Sequence, residues 1–341
     1  MRYAEQLGVG AALLKMKFLH RRLPLYVQFA VTNRCNQRCG YCNIPDLGGK
    51  ELSLDEITEL IGQLRRLGTR RVVLLGGEPL VRPDIGEIIR LMKRQGMFVG
   101  MVTNGWLVPS RLDEIRQLDT IAVSLDGAET ENDAVRGEGS FKKAVEALEA
   151  ITAAGMARFL SSTLVRSNID SLDRILELAD RFRCKAIINL AYHSNNISRT
   201  AAPLLASDEA GRRTLEKILL RKRKGAPILL SEGTYRYLLN WPDLSEDWIR
   251  DPTRPLPPRS PECQAGKLFC YIDAGGDMAP CALWAGDFRA LNVVTDGARP
   301  AWENCLGHGC RACSVACFVD YNAILSLDPR ALLNSVRFYK R

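Results

Sequence analysis

Between residues 25 and 230, short continuous apolar runs alternate with segments whose apolar residues recur every three or four positions. LYVQFAV (25–31), RVVLLGG (71–77), FVGMVTN (98–104), TIAVSLDG (120–127), ARFLSSTLV (157–165) and KAIINLAY (185–192) read as six strands. Helices are expected at 53–68, 82–96, near 110–117, at 140–154, at 171–182 and near 208–223. Ser53 and Glu56 have the spacing of a capping box, and Gly68 is placed to close that helix. Strands that are apolar throughout and alternate with helices predict a parallel sheet covered on both faces. An open sheet and a curved partial barrel share this element order, and periodicity does not choose between them.

The pattern changes past residue 240. WPDLSEDWIRDPTRPLPPRSP (241–261) is rich in proline and charge and reads as a connection. Residues 262–320 have little periodicity and many Cys and Gly, so they are expected to bury little core and to need a metal staple. The expected organisation is an N-terminal amphipathic helix (1–24), an α/β unit (25–232), a linker (233–261), a Cys-rich unit (262–320) and a C-terminal helix or tail (321–341). In the first of these, Leu7, Ala11, Leu14 and Phe18 share a helical face, with Lys15, Lys17, Arg21 and Arg22 near its end. Packing on the α/β unit is the plain expectation, and resting on an anionic membrane surface is the sharper one.

Composition narrows the class. The chain has 341 residues, 46% hydrophobic and 25% charged, as in a globular protein with a sizeable core. It has no apolar run of the roughly 20 residues needed to span a bilayer and no cleavable signal, so a cytoplasmic location is expected, with peripheral membrane contact as an option. The net charge of +8 is dispersed rather than interleaved with aromatics, and no nucleic-acid partner is expected. The run RKRK (221–224) closes a predicted helix, where cations oppose the dipole favourably. Of the 11 cysteines, Cys184 stands alone, and the others fall within 35–42 and 263–317. Clustered cysteines in a reducing compartment point to metal ligation rather than disulfides.

Cys35, Cys39 and Cys42 are spaced C-x3-C-x2-C in TNRCNQRCGYC (32–42), behind the first strand. Zinc would need a fourth ligand, whereas three thiolates on a cubane leave one iron open. Three further pieces follow successive strands: GGEP (76–79), TNG (103–105) and SLDG (124–127), with Arg136 shortly after. All lie at carboxyl ends of predicted parallel strands, where sites of such folds assemble. Gly76 and Gly77 permit close approach to backbone, and Glu78 and Asp126 are carboxylates available to an amine and to ribose hydroxyls.

This constellation resembles the radical S-adenosylmethionine enzymes. The resemblance implies a partial (β/α)6 TIM-like barrel with a small C-terminal Cys-rich iron–sulfur domain. It also implies a 4Fe–4S cluster on Cys35, Cys39 and Cys42, and S-adenosylmethionine held near Tyr41, Gly76, Gly77, Glu78, Thr103, Asn104, Ser124, Asp126 and Arg136. Relatives often have His-Asp where this chain has Asn132-Asp133. The reaction implied is reductive cleavage of S-adenosylmethionine, followed by hydrogen abstraction from an unactivated carbon by a 5′-deoxyadenosyl radical.

Cys263 and Cys281, with Gly276 between them and a later C-x2-C, resemble the auxiliary-cluster domain called SPASM, or its shortened twitch form. Cys263, Cys281, Cys310 and Cys313 are the expected ligands of at least one auxiliary cluster, with Cys270, Cys305 and Cys317 as competitors. His193, Tyr192, Asn195 and Trp106 are placed to face a cavity, and His20 and His308 are expected at the surface.

The leading expectation is an enzyme acting on a small-molecule or lipid-linked substrate, reduced by a donor such as flavodoxin or ferredoxin. A peptide-modifying maturase is the alternative, placed second because the first strand starts too early to leave room for a separate peptide-recognition module. A non-catalytic electron carrier or sensor is the competing class; it would need neither GGEP nor SLDG.

Overall fold

A computed structural model describes residues 22–192 and 205–339, with side chains to residue 335. The expected N-terminal helix falls almost wholly in residues 1–21, and His20, His193 and Asn195 also lie outside the described residues. Among the described residues no helix is long and apolar enough to cross a membrane.

Six parallel strands form the body of the sheet: β1 (Tyr26–Thr32), β2 (Arg71–Gly76), β3 (Phe98–Thr103), β4 (Thr120–Ser124), β5 (Arg158–Leu164) and β6 (Lys185–Leu190). They are hydrogen-bonded in sequence order, each parallel to the next. A doubly wound sheet needs a reversal of strand order to put helices on both faces. There is none here, so right-handed crossovers carry every helix to one side and the sheet curls as a partial barrel. Side chains on the helix-covered face, such as Leu74, Ile121, Val123, Leu160 and Ile188, are fully buried. The alternate positions Val73, Leu75, Val102, Ser124, Ser161, Thr163, Ile187 and Asn189 are half-buried, as expected where they line a lumen.

The covering helices are α1 (Leu54–Leu67), α2 (Ile85–Arg94), α3 (Val108–Ile115), α4 (Glu129–Arg136), α5 (Ser140–Ala153), α6 (Leu172–Arg181) and α7 (Asp208–Arg223). In α1 the capping box forms: Ser53 accepts from the Glu56 amide, Glu56 accepts from the Ser53 amide, and Gly68 ends the helix at φ 107°. Its buried face is Ile57, Leu60, Ile61 and Leu64, each contributing about 1.5–3 kcal/mol on leaving water. The RKRK run does close a helix: Arg221 pairs with Asp173 and Arg223 with Glu232. Helix α4 has no counterpart in the apolar pattern, because it buries only Asn132, Val135 and Arg136.

The C-terminal third departs from expectation. Residues 233–239 of the expected linker are helical, as part of α8 (Glu232–Leu239). Beyond β7 (Trp248–Ile249), three strands extend the main sheet: β8 (Phe269–Ile272), β9 (Asp277–Ala279) and β10 (Leu291–Asn292). β8 runs parallel to β1, with Tyr26 opposite Phe269 and Val27 opposite Cys270. Helix α9 (Ala298–Asn304) and β11 (Ala312–Cys313), which pairs with β7, complete the Cys-rich region. Phe269, Tyr271, Ile272, Met278, Trp302 and Phe318 are all buried, so this region packs a real core on the barrel's edge.

Helix α10 (Ala316–Leu325), followed by α11 (Pro329–Tyr339), bridges the two sides of the open barrel. On one side Phe318 stacks on Phe269 at 6.1 Å, and Tyr321 stacks on Tyr26 at 4.7 Å. On the other, Asp320 accepts from the Ser231 amide and the Thr234 hydroxyl, capping α8. The Cys317 amide donates to Asn189 of β6 at 3.1 Å.

Candidate active site and cysteine centres

The loop Asn33–Cys42 leaves the end of β1 and is braced on several sides. The Thr32 hydroxyl and Arg34 both reach Glu51, and Arg82 donates to the carbonyls of Val31 and Leu52. The Gly40 amide donates to the Val135 carbonyl at 2.8 Å, tying the loop to α4. Cys35, Cys39 and Cys42 are half-buried, with no disulfide. Burial raises all three thiols, Cys42 to about 11. Thiols so disfavoured as free anions become thiolates readily when a metal supplies the compensating charge.

The motif after β2 fits against this loop. The amides of Gly77 and Glu78 donate to the carbonyls of Thr32 and Arg34 at 2.8 and 2.9 Å. A Cβ on Gly76 would lie 2.2 Å from the Thr32 carbonyl, and one on Gly77 would lie 2.3 Å from that of Arg34. The close approach expected for a ligand is therefore made by the cysteine loop's own backbone.

Glu78 is fully buried, and its side chain turns inward rather than lying open to a ligand amine. It accepts from the Thr103 hydroxyl (2.9 Å), the Leu80 amide (3.0 Å) and the Asn104 amide (2.7 Å). Burial still dominates and raises its carboxyl to about 7. Asn104 extends the brace, donating from its side chain to Asn36 at 2.8 Å and lying 3.9 Å from the Cys35 sulfur. Trp106 joins this turn, its amide donating to the Asn104 side chain.

Asp126, Arg136 and Tyr41 form a buried triad. The Tyr41 hydroxyl donates to Asp126 at 3.0 Å, and Arg136 donates to Asp126 and to the Tyr41 oxygen, both at 2.6 Å. Burial raises the Cys39 thiol, and the nearby Arg136 guanidinium lowers it by a smaller amount. The other Asp126 oxygen accepts from the Thr163 amide. Asn132, standing where relatives often have His, braces this group: it accepts from the Asp126 amide and donates to Ser140. Asp133 accepts from the amides of Gly139 and Phe141, anchoring the start of α5. Ser124 ends β4, half-buried on the lumen face. Gln37, between the first two cysteines, was missed in the sequence; it is buried and its side-chain oxygen lies 3.9 Å from the Cys39 sulfur. Its position inside the C-x3-C spacing was the available signal.

The second group of cysteines divides. Cys263, Cys281, Cys310 and Cys313 line one small cavity with Phe269, Leu283, Trp284 and Phe318. The Cys310 thiol donates to the Ala312 carbonyl at 3.6 Å, and its closeness to Cys263 lowers Cys263 and raises Cys310. Burial raises Cys281 to about 12. Four soft donors on apolar walls suit an iron–sulfur cluster. Among the described residues, no three Cys, His, Asp or Glu side chains converge tightly enough to hold a single metal ion. None of the competitors lines that cavity. Cys270 is fully buried in β8 beside Cys305, whose thiol donates to the carbonyl of Ala301 at 3.4 Å. The Cys317 amide donates to the Asn189 side chain of β6. His308 is not a surface residue: it bonds the Ala265 carbonyl, accepts from the Cys310 amide and meets the edge of Trp284.

Comparisons with known proteins agree with this geometry. The profile of the Radical SAM superfamily matches residues 29–186. The chain is 32% identical over 295 residues to the Mycofactocin maturase MftC of Mycobacterium ulcerans, covering 82% of this chain and 75% of the relative. It is 26% identical to an AdoMet-dependent heme synthase of Methanosarcina barkeri, covering 82% of each, and 32% identical to the PqqA peptide cyclase of Streptomyces rochei, covering 62% and 61%. Among solved structures, Streptococcus suis SuiB bound to precursor peptide SuiA has a similar fold, with a TM-score of 0.63 at 14% identity over 89% of this chain and 70% of that one. With likeness to the maturase along most of both chains, and the three-cysteine loop standing at the mouth of a parallel partial barrel, this protein belongs to the radical SAM superfamily, whose members bind a 4Fe–4S cluster and S-adenosylmethionine.

Proposed function

We propose that this chain is a peptide-modifying radical SAM maturase. The observation that carries the reading is the 32% identity to the mycofactocin maturase over most of both chains. It reverses the order of preference drawn from sequence, which favoured a small-molecule or lipid-linked substrate. That preference rested on how early the first strand begins, and a maturase whose peptide arrives with a partner protein needs no recognition module of its own.

In this reading residues 25–232 form the catalytic barrel. Cys35, Cys39 and Cys42 hold the 4Fe–4S cluster, and their loop is fixed by the backbone of Gly76, Gly77 and Glu78. S-adenosylmethionine lies over this loop, within reach of Tyr41, Thr103, Asn104, Ser124, Asp126 and Arg136. Bound and reduced, the cluster and S-adenosylmethionine supply a radical able to take hydrogen from an unactivated carbon. The half-buried lumen positions from Val73 to Asn189 shield that chemistry from water and orient the substrate carbon. Residues 262–320 hold one auxiliary cluster through Cys263, Cys281, Cys310 and Cys313, leaving Cys270, Cys305 and Cys317 unligated. A small acidic electron carrier, a flavodoxin or ferredoxin, supplies the electron.

The test is anaerobic reconstitution and reduction, followed by incubation with synthetic copies of short peptides encoded beside the gene. The expected result is 5′-deoxyadenosine release together with a mass change in one peptide. A second reading, a small-molecule substrate, is favoured by the likeness to the heme synthase. Deoxyadenosine release driven by a porphyrin but by no peptide would overturn the maturase reading in its favour.

A further inference from the structure

Two polar side chains, one from α4 and one from the cysteine loop, stand by Cys39 in places not needed to hold a metal. Arg136 is one. It is buried at 7% exposure, with the Asp126 carboxylate accepting from its Nε and the Tyr41 oxygen from its Nη2, both at 2.6 Å. The guanidinium lies near enough to lower the Cys39 thiol, more strongly than the Asp126 carboxylate raises it. Gln37 is the other. It is also 7% exposed; its oxygen faces the Cys39 thiol, and its Nε2 is buried with no hydrogen-bond partner.

A buried amide N–H without a partner costs about 1–3 kcal/mol and calls for a reason. The state of Cys39 supplies one. A thiol can donate to the Gln37 oxygen, but a thiolate has no proton to give and accepts only. Turned by half a rotation, the same amide occupies the same volume and presents its N–H to the sulfur. With Cys39 as a thiolate ligand, Gln37 then donates to its sulfur, and the unpartnered N–H is satisfied.

We infer that Arg136 and Gln37 set the reduction potential of the cluster held by Cys35, Cys39 and Cys42, Gln37 by donating an N–H to the Cys39 sulfur and Arg136 by placing a buried positive charge near it. The inference rests on the proposed cluster at those three cysteines. Its physical basis is that hydrogen bonds to ligand sulfur and local charge are main determinants of iron–sulfur potentials. Reduction adds one negative charge to the cluster and its ligands, so a neighbouring cation and polarised N–H groups favour the reduced form. Both residues are positioning groups in this role. They make reduction by a carrier of ordinary potential easier without touching the substrate. Asp126 opposes Arg136, so its removal acts with the opposite sign, which distinguishes tuning from damage.

The experiment is a redox titration of the reconstituted full chain, without S-adenosylmethionine, followed by electron paramagnetic resonance. The signal followed is the one whose shape changes when S-adenosylmethionine is added afterwards. Arg136→Met and Gln37→Leu are expected to lower the ratio of reduced to oxidised cluster at fixed poise. For Arg136→Met the fall is about tenfold, equivalent to about 59 mV for one electron. Asp126→Asn is expected to raise the ratio. Unchanged potentials, or shifts of one sign in all three variants, overturn the inference. Should Arg136→Met fail to take up iron, the opposed shifts of Gln37→Leu and Asp126→Asn decide. A wild-type protein with no S-adenosylmethionine-responsive signal overturns the underlying cluster reading, and the inference with it.

Discussion

Replacing Glu78 by Gln isolates the electrostatic strain at the heart of the site. The native carboxyl is raised from 4.5 to about 7, because burial outweighs the three hydrogen bonds it accepts. In the unfolded chain it titrates near 4.5, so between those values the folded state binds a proton that the unfolded state does not. Stability then falls as pH rises through this window, by about 1.4 kcal/mol per pH unit, or about 3 kcal/mol in all. Glutamine is neutral at every pH and nearly isosteric, so the variant loses this dependence. It also turns an amide donor toward one of the donors Thr103, Leu80 or Asn104, a constant cost of about 1–3 kcal/mol. The assay is denaturant unfolding of wild type and Glu78→Gln at about pH 5.5 and about pH 8, anaerobically and with thiols reduced. From the lower to the higher pH, the variant should gain about 2 kcal/mol relative to wild type. A gap between the two proteins that does not change with pH, or that widens against the variant as pH rises, refutes the reasoning.

Two further outcomes follow from the packing. Cys263→Ser and Cys313→Ser should each lower bound iron by one cluster's worth, whereas Cys270→Ala and Cys305→Ala should leave iron unchanged and cost only core packing, on the order of 1 kcal/mol; iron and sulfide analysis checks this, and iron loss in Cys270→Ala would contradict the ligand assignment. Gly77→Ala should disrupt the cysteine loop, since its Cβ would lie 2.3 Å from the Arg34 carbonyl and rigid backbone must move; iron uptake at wild-type level in this variant would contradict that packing.

How much of this was legible in the sequence depended on how local each determinant was. The capping box of Ser53 and Glu56, the Gly68 stop and the apolar runs of β1 to β6 are local, and they predicted the barrel's elements to within a few residues. The four cysteines of the second cavity were picked out of seven by the resemblance of their spacing to the auxiliary-cluster domain, not by a local pattern. The pairing of β8 with β1 was not legible: β8 is four residues long and finds its partner more than 200 residues away. Helix α4 was hidden because it serves the site rather than the core, presenting Asn132 and Arg136 inward from a polar segment. The sequence also showed that Gly76, Gly77 and Glu78 matter, but not which neighbour they meet. That neighbour is the Thr32–Arg34 backbone and the turn at Thr103–Asn104, brought together only by the curl of the sheet.

The β1–β8 pairing has a further consequence. The end of β1 leads directly into Cys35, while β8 lies between Cys263 and Cys281 and contributes Phe269 to the wall of the second cavity. Two adjacent hydrogen-bonded strands of one sheet therefore carry both cysteine centres. Helix α10 reinforces the arrangement, with Phe318 lining the second cavity and stacked on Phe269 while Cys317 binds Asn189 of the opposite barrel wall. A separate domain on the proline-rich connection at 241–261 could shift relative to the barrel, whereas a shared sheet cannot slide without breaking its ladder. The spacing between the two centres is thus set by backbone hydrogen bonds rather than by a domain interface. An auxiliary centre that exchanges electrons with a substrate in the lumen, or anchors it there, requires such a fixed spacing.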